Sequence, residues 1–528
     1  MLLPAIIDER ARLDPSRLFC AQVKSENVDD GVLEITYGDF ANAVNRCAWW
    51  LESEFGKAED FETIAYAGPG DIRYAMITYA AVKTGRKAML VSPINSIAGQ
   101  LHLLEATQCK IFLTAKDFPP FKAVATAISA QREMRFVDVE SQSYWLSDNR
   151  VEIYSFEATL EENPHRPFVI IHTSGSTGLP KPITHTFAAV SGTRLLISPK
   201  DWLPNAPQTT YDLWANRCIY MAFPVFHMVG ILSTTVVNVY FNMVPILGPV
   251  GVPPTPNLAS KIIKLDLCQA ALLSPSVVEG IAKNDEQLEG LRKLDVLLWC
   301  GAPLSSRDIG DKLRSYVTIL CAYGSTEMGP IPLTIEDQAH FEWVNFSPIF
   351  GATFRHFSED LYELVVVRDP KLLEVQFIFH IFPELSEWPT KDLWSKHPTK
   401  DIWRYRGRND DMIVLQSGLM INPLHWEGIV MSNPRVTAAL LYGNGRANAA
   451  WLIEVKNPPA DDNERVQLIE EIWPIVEKVN ETAQAQVRAP REGIVFTTRG
   501  TPMARVGKGS VQRKLTFQTY EKELHAVT

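Results

Sequence analysis

The chain has 528 residues, 46% of them hydrophobic and 21% charged, too many for one ordinary domain and enough to bury a large core. A formal net charge of −10 argues against a generally basic nucleic-acid-binding face, and no uninterrupted apolar run is long enough to cross a bilayer. Seven scattered cysteines without CxxC spacing predict reduced, mostly buried thiols and no metal site of their own, in keeping with a cytoplasmic location. The opening stretch MLLPAIIDERARLDP reaches acidic residues too soon to read as a signal peptide. No repeat period or low-complexity tract interrupts the chain.

In GDFANAVNRCAWWLE, Phe40, Ala43, Val44, Cys47, Ala48 and Leu51 fall at helical spacing, which predicts an amphipathic helix. ETIAYAGPG reads as a buried strand, DIRYAMITYAAVKTG as a helix ending at glycine, and KAMLVSP as a strand, together a βαβ unit. Short apolar strands recur at CKIFLTA, RPFVIIHTS, CIYMAFPVFH, DVLLWCGAPL and VTILCAYGS, each ending in small or polar residues. Ligands of α/β sheets bind at such carboxyl ends. The rhythm changes near Gly407, where DDMIVLQSGLMINPLHWEGIV predicts short strands and then a helix. The expected architecture is α/β, a large N-terminal region of stacked α/β sheets over residues 1–406 and a small mobile α+β domain over 407–528.

The stretch HTSGSTGLPKP does not match the Walker spacing GxxxxGK[ST]. Its physics still suits a phosphate. Gly175 and Gly178 let the backbone approach an anion, Thr173, Ser174, Ser176 and Thr177 add hydroxyls, and Lys181 adds charge. A flexible surface loop would have similar composition, but this one follows a buried strand directly.

The loop has company. FPVFHMVG at 223–230, CGAPL at 300–304, AYGSTEMG at 322–329, TKDLW at 390–394 and YRGRNDD at 405–411 follow it in order. Together they resemble the adenylate-forming (ANL) superfamily of acyl-CoA synthetases, luciferases and the adenylation domains of nonribosomal peptide synthetases (NRPS). LPKPITHT, GRNDDMIVLQSGLMINP and GKGSVQRK most resemble fungal NRPS-like enzymes of the adenylation–carrier–reductase type, the carboxylic acid reductases. The resemblance implies that Thr173, Ser174, Gly175, Ser176, Thr177, Gly178 and Lys181 handle the β- and γ-phosphates of ATP, with Pro182 where the wider family usually has glycine. It places Tyr323 against adenine, Thr326 at the α-phosphate and Glu327 on Mg²⁺, although Ser325 or Thr326 could instead cap a helix with an acidic first turn.

The ribose-binding aspartate has two candidates, because TKD occurs twice. Asp392 precedes Gly407 by 15 residues, room for a hairpin, and Asp401 by only six, so Asp392 is chosen and Asp401 is left as a turn residue. Lys391 stands where the family usually has glycine. Arg408 would reach ribose or phosphate, Asp410 falls at the hinge about which the small domain rotates, and Gly418 would face the thiol channel. No acidic residue occurs between Gly493 and Tyr520, and GKGSVQRK resembles the family's C-terminal lysine motif, which implies Lys508 as the catalytic lysine with Lys514 the alternative.

The acyl pocket is expected around His227, Met228, Gly230, Trp299, Gly301, Ala302 and Met328. Amino-acid-activating relatives carry an aspartate just after the His227 position; Met228 stands there, which disfavours an α-amino acid. An aromatic or apolar acid is favoured, and an aromatic-lined pocket leaves a betaine open. The thiol acceptor implied is phosphopantetheine on a carrier domain, in cis or in trans, feeding a reductase. A free-standing acyl-CoA ligase and a non-catalytic nucleotide-binding module are the competing readings.

Overall fold

The computed structural model describes residues 1–58, 60–173, 179–417, 419–483, 487–505 and 511–528. Two mainly parallel sheets carry the larger part. The first orders its strands Thr318–Ala322, Val296–Cys300, Ala270–Leu273, Cys218–Met221, Val244–Leu247, Leu18–Val23 and Val32–Thr36, with only the last pair antiparallel. The second runs Arg135–Val139, Ile111–Ala115, Thr63–Ala67, Lys87–Leu90, Pro167–Thr173 and Lys181–Thr186, again with one antiparallel pair at its end. The predicted strand–helix–strand run is present as Thr63–Ala67, Arg73–Lys83 and Lys87–Leu90.

Strand alternation decides where the core lies. Ile64 and Tyr66 join Leu272 and Leu298 of the other sheet in one large cluster, whereas Ala65 and Ala67 face the opposite way with Phe112 and Ile170. The helix Arg73–Lys83 packs into the large cluster and is buried along its whole length. Helix Tyr37–Phe55 joins the same cluster; Thr36 and Asp39 cap its start reciprocally, and Gly56 ends it at φ +73°.

A four-stranded antiparallel sheet follows, Ala352–Ser358, Leu361–Val367, Glu387–Lys396 and Trp403–Arg408. Gly407 and Arg408, counted with the smaller part in the sequence reading, belong to this sheet's last strand. The chain leaves it through the single turn Asn409–Asp411. Beyond that turn come the pair Ile413–Val414 and Met420–Ile421, helix Leu424–Met431, and a three-stranded sheet covered by helix Asp462–Thr482 with its own apolar cluster. Among the described residues no helix is long and apolar enough to cross a membrane.

Candidate active site

The sheet ends and the C-terminal part enclose one cleft of roughly 2650 Å³. On one wall, strands Pro167–Thr173 and Lys181–Thr186 pair so that Thr173 lies opposite Lys181. Lys181, at the start of its strand, is exposed. Ser174, Gly175, Ser176, Thr177 and Gly178 lie outside the described residues, as do Gly418 and Lys508. Two histidines, the half-buried His172 and the fully buried His185, brace this strand pair, and desolvation holds both near a pKa of about 4, so both are neutral at physiological pH. His172 accepts from the Ser92 amide at 3.1 Å through Nε2. His185 lies 2.9 Å from the Thr326 carbonyl through Nε2, and its ring meets Phe377 edge-on. The sequence reading missed His185, whose partner lies 141 residues away.

Thr326 and Glu327 sit at the tip of a tight turn. Gly324–Ser325 pairs antiparallel with Gly329–Pro330, and Ser325 Oγ accepts the Met328 amide at 3.2 Å. This corrects the helix-cap alternative: the hydroxyl closes a hairpin turn and no helix follows. Gly329 takes φ +70°, and a Cβ there would lie 2.6 Å from the Phe377 ring, so a side chain is excluded twice over. Thr326 is buried; Glu327 is half-buried, lines the cleft and pairs with no cation among the described residues.

Asp392 and Arg408 stand directly opposite each other on neighbouring strands. Tyr323, in an aromatic nest with Phe346 and Trp394, donates its hydroxyl to Asp392. Burial raises the Asp392 carboxyl to a pKa of about 6 against the pull of Tyr323 and Arg408. Arg408 lies 3.7 Å from Asp392 and grips Asp410 with two hydrogen bonds of 2.8 and 3.0 Å. Lys391 also reaches Asp410, at 3.5 Å. The strand bulges here, because three residues separate Pro389 from Leu393 where one separates their partners Val365 and Glu363. Lys391 takes φ +66° within the bulge, the left-handed conformation that glycine adopts without strain. Asp401 lies in the exposed turn between the strands, paired with Lys396 at 3.1 Å.

His227 precedes helix Met228–Leu232, which continues through a π-turn at Ser233–Val237 into Asn238–Tyr240. Such π-turns break the regular side-chain register and recur at functional sites. Gly230 is required by close approach, since a Cβ would lie 2.2 Å from the Pro224 carbonyl oxygen. Met228, Leu232, Ser233 and Val237 line the cleft with Tyr211 and Trp214, an aromatic pair that the sequence reading missed. Gly301, Ala302 and Met328 line it too. Trp299 edges the cleft, but alternation turns its ring to the sheet's other face against Phe341, while Leu298 and Cys300 point to the Met228 side.

At the C-terminal end Arg505 forms an antiparallel bridge with Val511. Arg513 holds the buried Glu427 with two bonds of 2.7 Å, and Lys514 is exposed at the cleft.

Residues 8–351 match the model of the AMP-binding enzyme family, and residues 410–527 that of the AMP-binding enzyme C-terminal domain. The chain belongs to the AMP-binding enzyme family. It is an adenylate-forming ligase, a class that uses ATP on carboxylic acids. A carboxylic acid reductase of Neurospora crassa is 32% identical over the whole chain, which covers 50% of that protein. An isocyanide synthase–NRPS hybrid of Aspergillus fumigatus is 30% identical over 98% of the chain and 33% of its own length. The adenylate-forming reductase Nps10 of Heterobasidion annosum is 27% identical over 100% of the chain and 49% of its own length. The chain thus spans about half, or less, of these relatives. In fold it matches ATP-bound MatB from Rhodopseudomonas palustris, with a TM-score of 0.71 at 15% identity over 99% of this chain and 100% of that one. An O-succinylbenzoate coenzyme A synthetase from Bacillus subtilis, in complex with ATP and magnesium, gives 0.68 at 16% identity over 97% and 98%. In this AMP-binding enzyme the family's C-terminal match begins at Asp410, the residue that Arg408 and Lys391 both hold.

Proposed function

We propose that the cleft activates a small carboxylic acid with ATP and Mg²⁺ to an acyl-adenylate and passes the acyl group to the phosphopantetheine thiol of a carrier protein that serves a reductase. The part that follows the turn Asn409–Asp411 acts as the lid, turning about Asp410. The observation that carries the reading is convergence: Lys181, the Thr326–Glu327 turn and the Tyr323–Asp392–Arg408 chain border one cleft. The carboxylate oxygen attacks the α-phosphorus and pyrophosphate leaves. The thiol sulfur then attacks the acyl carbon, the carbon–oxygen bond to AMP breaks, and the thiol proton is released. Charge accumulates around phosphorus in the first step, so catalysis rests on positioned donors and cations.

Each residue has a role set by its surroundings. Thr326, its carbonyl fixed by His185, presents its hydroxyl and amide at the α-phosphate. Lys181 and the hairpin loop hold the outer phosphates, and Lys508 bridges toward the leaving oxygen. Asp392 accepts from the ribose hydroxyls, with Tyr323 beside the adenine. A cleft carboxylate that pairs with no cation among the described residues suits a metal that takes its other oxygens from phosphates, and Glu327 is such a group. No cluster of three His, Cys, Asp or Glu among the described residues could hold a metal by itself. His227 and Met228 border the acid's carboxylate. The wall from Thr210 to Val237 places no carboxylate in the cleft for an α-ammonium, which supports an aromatic or apolar acid, with a betaine next.

Pyrophosphate release with ATP, Mg²⁺ and hydroxylamine across aryl, aliphatic, amino and betaine acids tests the reading. Release is expected with aryl or apolar acids and is expected to be lost in Glu327→Ala with the fold intact. Undiminished turnover in that variant removes Glu327 from the metal role, and silence across the panel with ATP still bound favours a non-catalytic module.

A further inference from the structure

The part of the cleft beyond His227 is walled mainly by apolar groups. Met228, Leu232 and Val237 come from the helical run that follows His227, Leu272 and Cys300 from two parallel strands, and Trp214 from the end of the turn Thr210–Leu213. Tyr211 and Ser233 interrupt this wall with hydroxyls. Tyr211 meets Trp214 and Phe241 edge-on, both with ring centroids 5.5 Å away, and Cys300 stands near it. The residue is 6% exposed and lines the cleft, yet its hydroxyl makes no hydrogen bond among the described residues. Ser233, 2% exposed at the first position of the π-turn, lines the same cleft, and its hydroxyl is equally unpaired among the described residues.

Neighbouring polar groups are accounted for differently. Thr234 and Thr235, the next two residues, return their hydroxyls to helix carbonyls, Thr234 to Gly230 at 3.0 Å and Thr235 to Ile231 at 2.6 Å. That is the usual recourse of a hydroxyl on a helix, and Ser233 does not take it. The Trp214 indole N–H and the Asn238 amide also lack partners among the described residues, but they are closed off from the cleft. A desolvated hydroxyl without a partner is unfavourable, and almost all such groups in folded proteins find one. Burial pushes the Tyr211 phenol up, so it stays protonated and neutral. The wall from Thr210 to Val237 offers no Asp, Glu, Lys or Arg to the cleft, so the group that these hydroxyls await is itself neutral.

We propose that Tyr211 and Ser233 receive a hydroxyl that the acid carries away from its carboxylate, so that the substrate is a hydroxy-substituted aromatic acid. The assignment rests on the adenylation reading above. The carboxylate goes toward His227 and the phosphates, the ring lies along Met228, Leu232 and Trp214, and the ring hydroxyl meets the two protein hydroxyls. Aromatic and thioether side chains suit the flat face of such a ring. A phenolic hydroxyl is neutral at physiological pH, and it both donates and accepts, as Tyr and Ser do. A plain hydrocarbon would leave both protein hydroxyls desolvated and unpaired. Selection of this kind is steep, because a site built to pair a substrate hydroxyl rejects the analogue that lacks it far more strongly than an apolar pocket rejects one methyl more or less.

ATP–pyrophosphate exchange is measured with benzoate, with ortho-, meta- and para-hydroxybenzoate, with the matching toluates, and with an aliphatic acid and a betaine. In the unsubstituted protein, kcat/KM for at least one hydroxybenzoate is expected to exceed that for benzoate and for its matching toluate by about tenfold or more, the scale of a buried hydrogen bond made instead of lost. Tyr211→Phe, which keeps the ring, is expected to bring that ratio close to one, and Ser233→Ala to lower it. A toluate that matches its hydroxybenzoate overturns the assignment, because the wall then rewards filled volume alone. Benzoate that equals or exceeds every hydroxybenzoate overturns it too, as does a preference that survives undiminished in both variants. Exchange with other acids of the panel but with no hydroxybenzoate overturns this assignment alone, and absence of exchange with every acid overturns the adenylation reading with it. The comparison in the unsubstituted protein decides the matter even if a variant fails to fold.

Discussion

Replacing Asp392 by Asn separates the function of this carboxylate from its cost. A carboxyl held at about 6 instead of 3.8 penalises the folded state by about 3 kcal/mol when ionised. Only about a tenth of the side chain is exposed, so solvent screening takes little from that figure. The sign follows from linkage: the folded state binds the proton more tightly, so the penalty is complete above pH 6 and disappears as the pH falls toward the unfolded value. Asn keeps an acceptor for the Tyr323 hydroxyl and carries no charge. Asp392→Asn is therefore expected to be more stable than the unsubstituted protein by about 3 kcal/mol at pH 7.5 and by only about 1 kcal/mol at pH 4.5. Urea unfolding of both proteins at the two pH values measures this, and the difference between them cancels every other titrating group. The same variant should raise KM for ATP by about tenfold to a hundredfold, the worth of a charged acceptor at the ribose. A variant that is less stable at pH 7.5, or whose stability difference ignores pH, refutes the claim that burial dominates this site.

Two further outcomes follow from local geometry. Lys391→Gly places the residue that tolerates φ +66° into the bulge and gives up only a surface ion pair to Asp410, so urea unfolding should show a gain of about 0.5–1 kcal/mol; a loss above 1 kcal/mol would mean that the pair matters more than the strain. Lys508→Ala should stop pyrophosphate exchange while Lys514→Ala, on an exposed first helical turn, leaves it running; the reverse pattern transfers the catalytic role to Lys514.

The parallel strands were readable because each is a short apolar run ending in small residues, and Thr63–Ala67, Val296–Cys300 and Thr318–Ala322 fall where the pattern puts them. The antiparallel sheet from Ala352 to Arg408 was largely invisible: its strands mix polar and apolar residues, and their pairing is set by partners outside any local window. The site divides in the same way. Motif residues announce themselves by type and order, whereas His185 on Thr326 and Arg513 on Glu427 join positions 141 and 86 residues apart. The lysine before Asp392 was noticed as a departure from the family, but only the register against strand Leu361–Val367 shows that a bulge demands its unusual backbone. The orientation of Trp299 was within reach, because parity along an apolar strand assigns alternate residues to opposite faces.

The two ends of the site are joined by charge. From Tyr323 the contacts run to Asp392, then Arg408, then Asp410, and Lys391 closes the chain beside the turn Asn409–Asp411. Arg408 lies between the buried Asp392 and the turn, with its two good hydrogen bonds on Asp410 and a longer approach to Asp392. On the proposed reading, ribose hydroxyls donating to Asp392 would make that carboxylate a weaker partner for Arg408, and rotation about the turn would take Asp410 away from it. One guanidinium thus serves two carboxylates. On the proposed reading, where Asp392 meets the ribose and Asp410 the hinge, a change at either would be felt at the other. Nucleotide occupancy would then be coupled to lid position through a buried aspartate whose carboxyl burial raises to about 6.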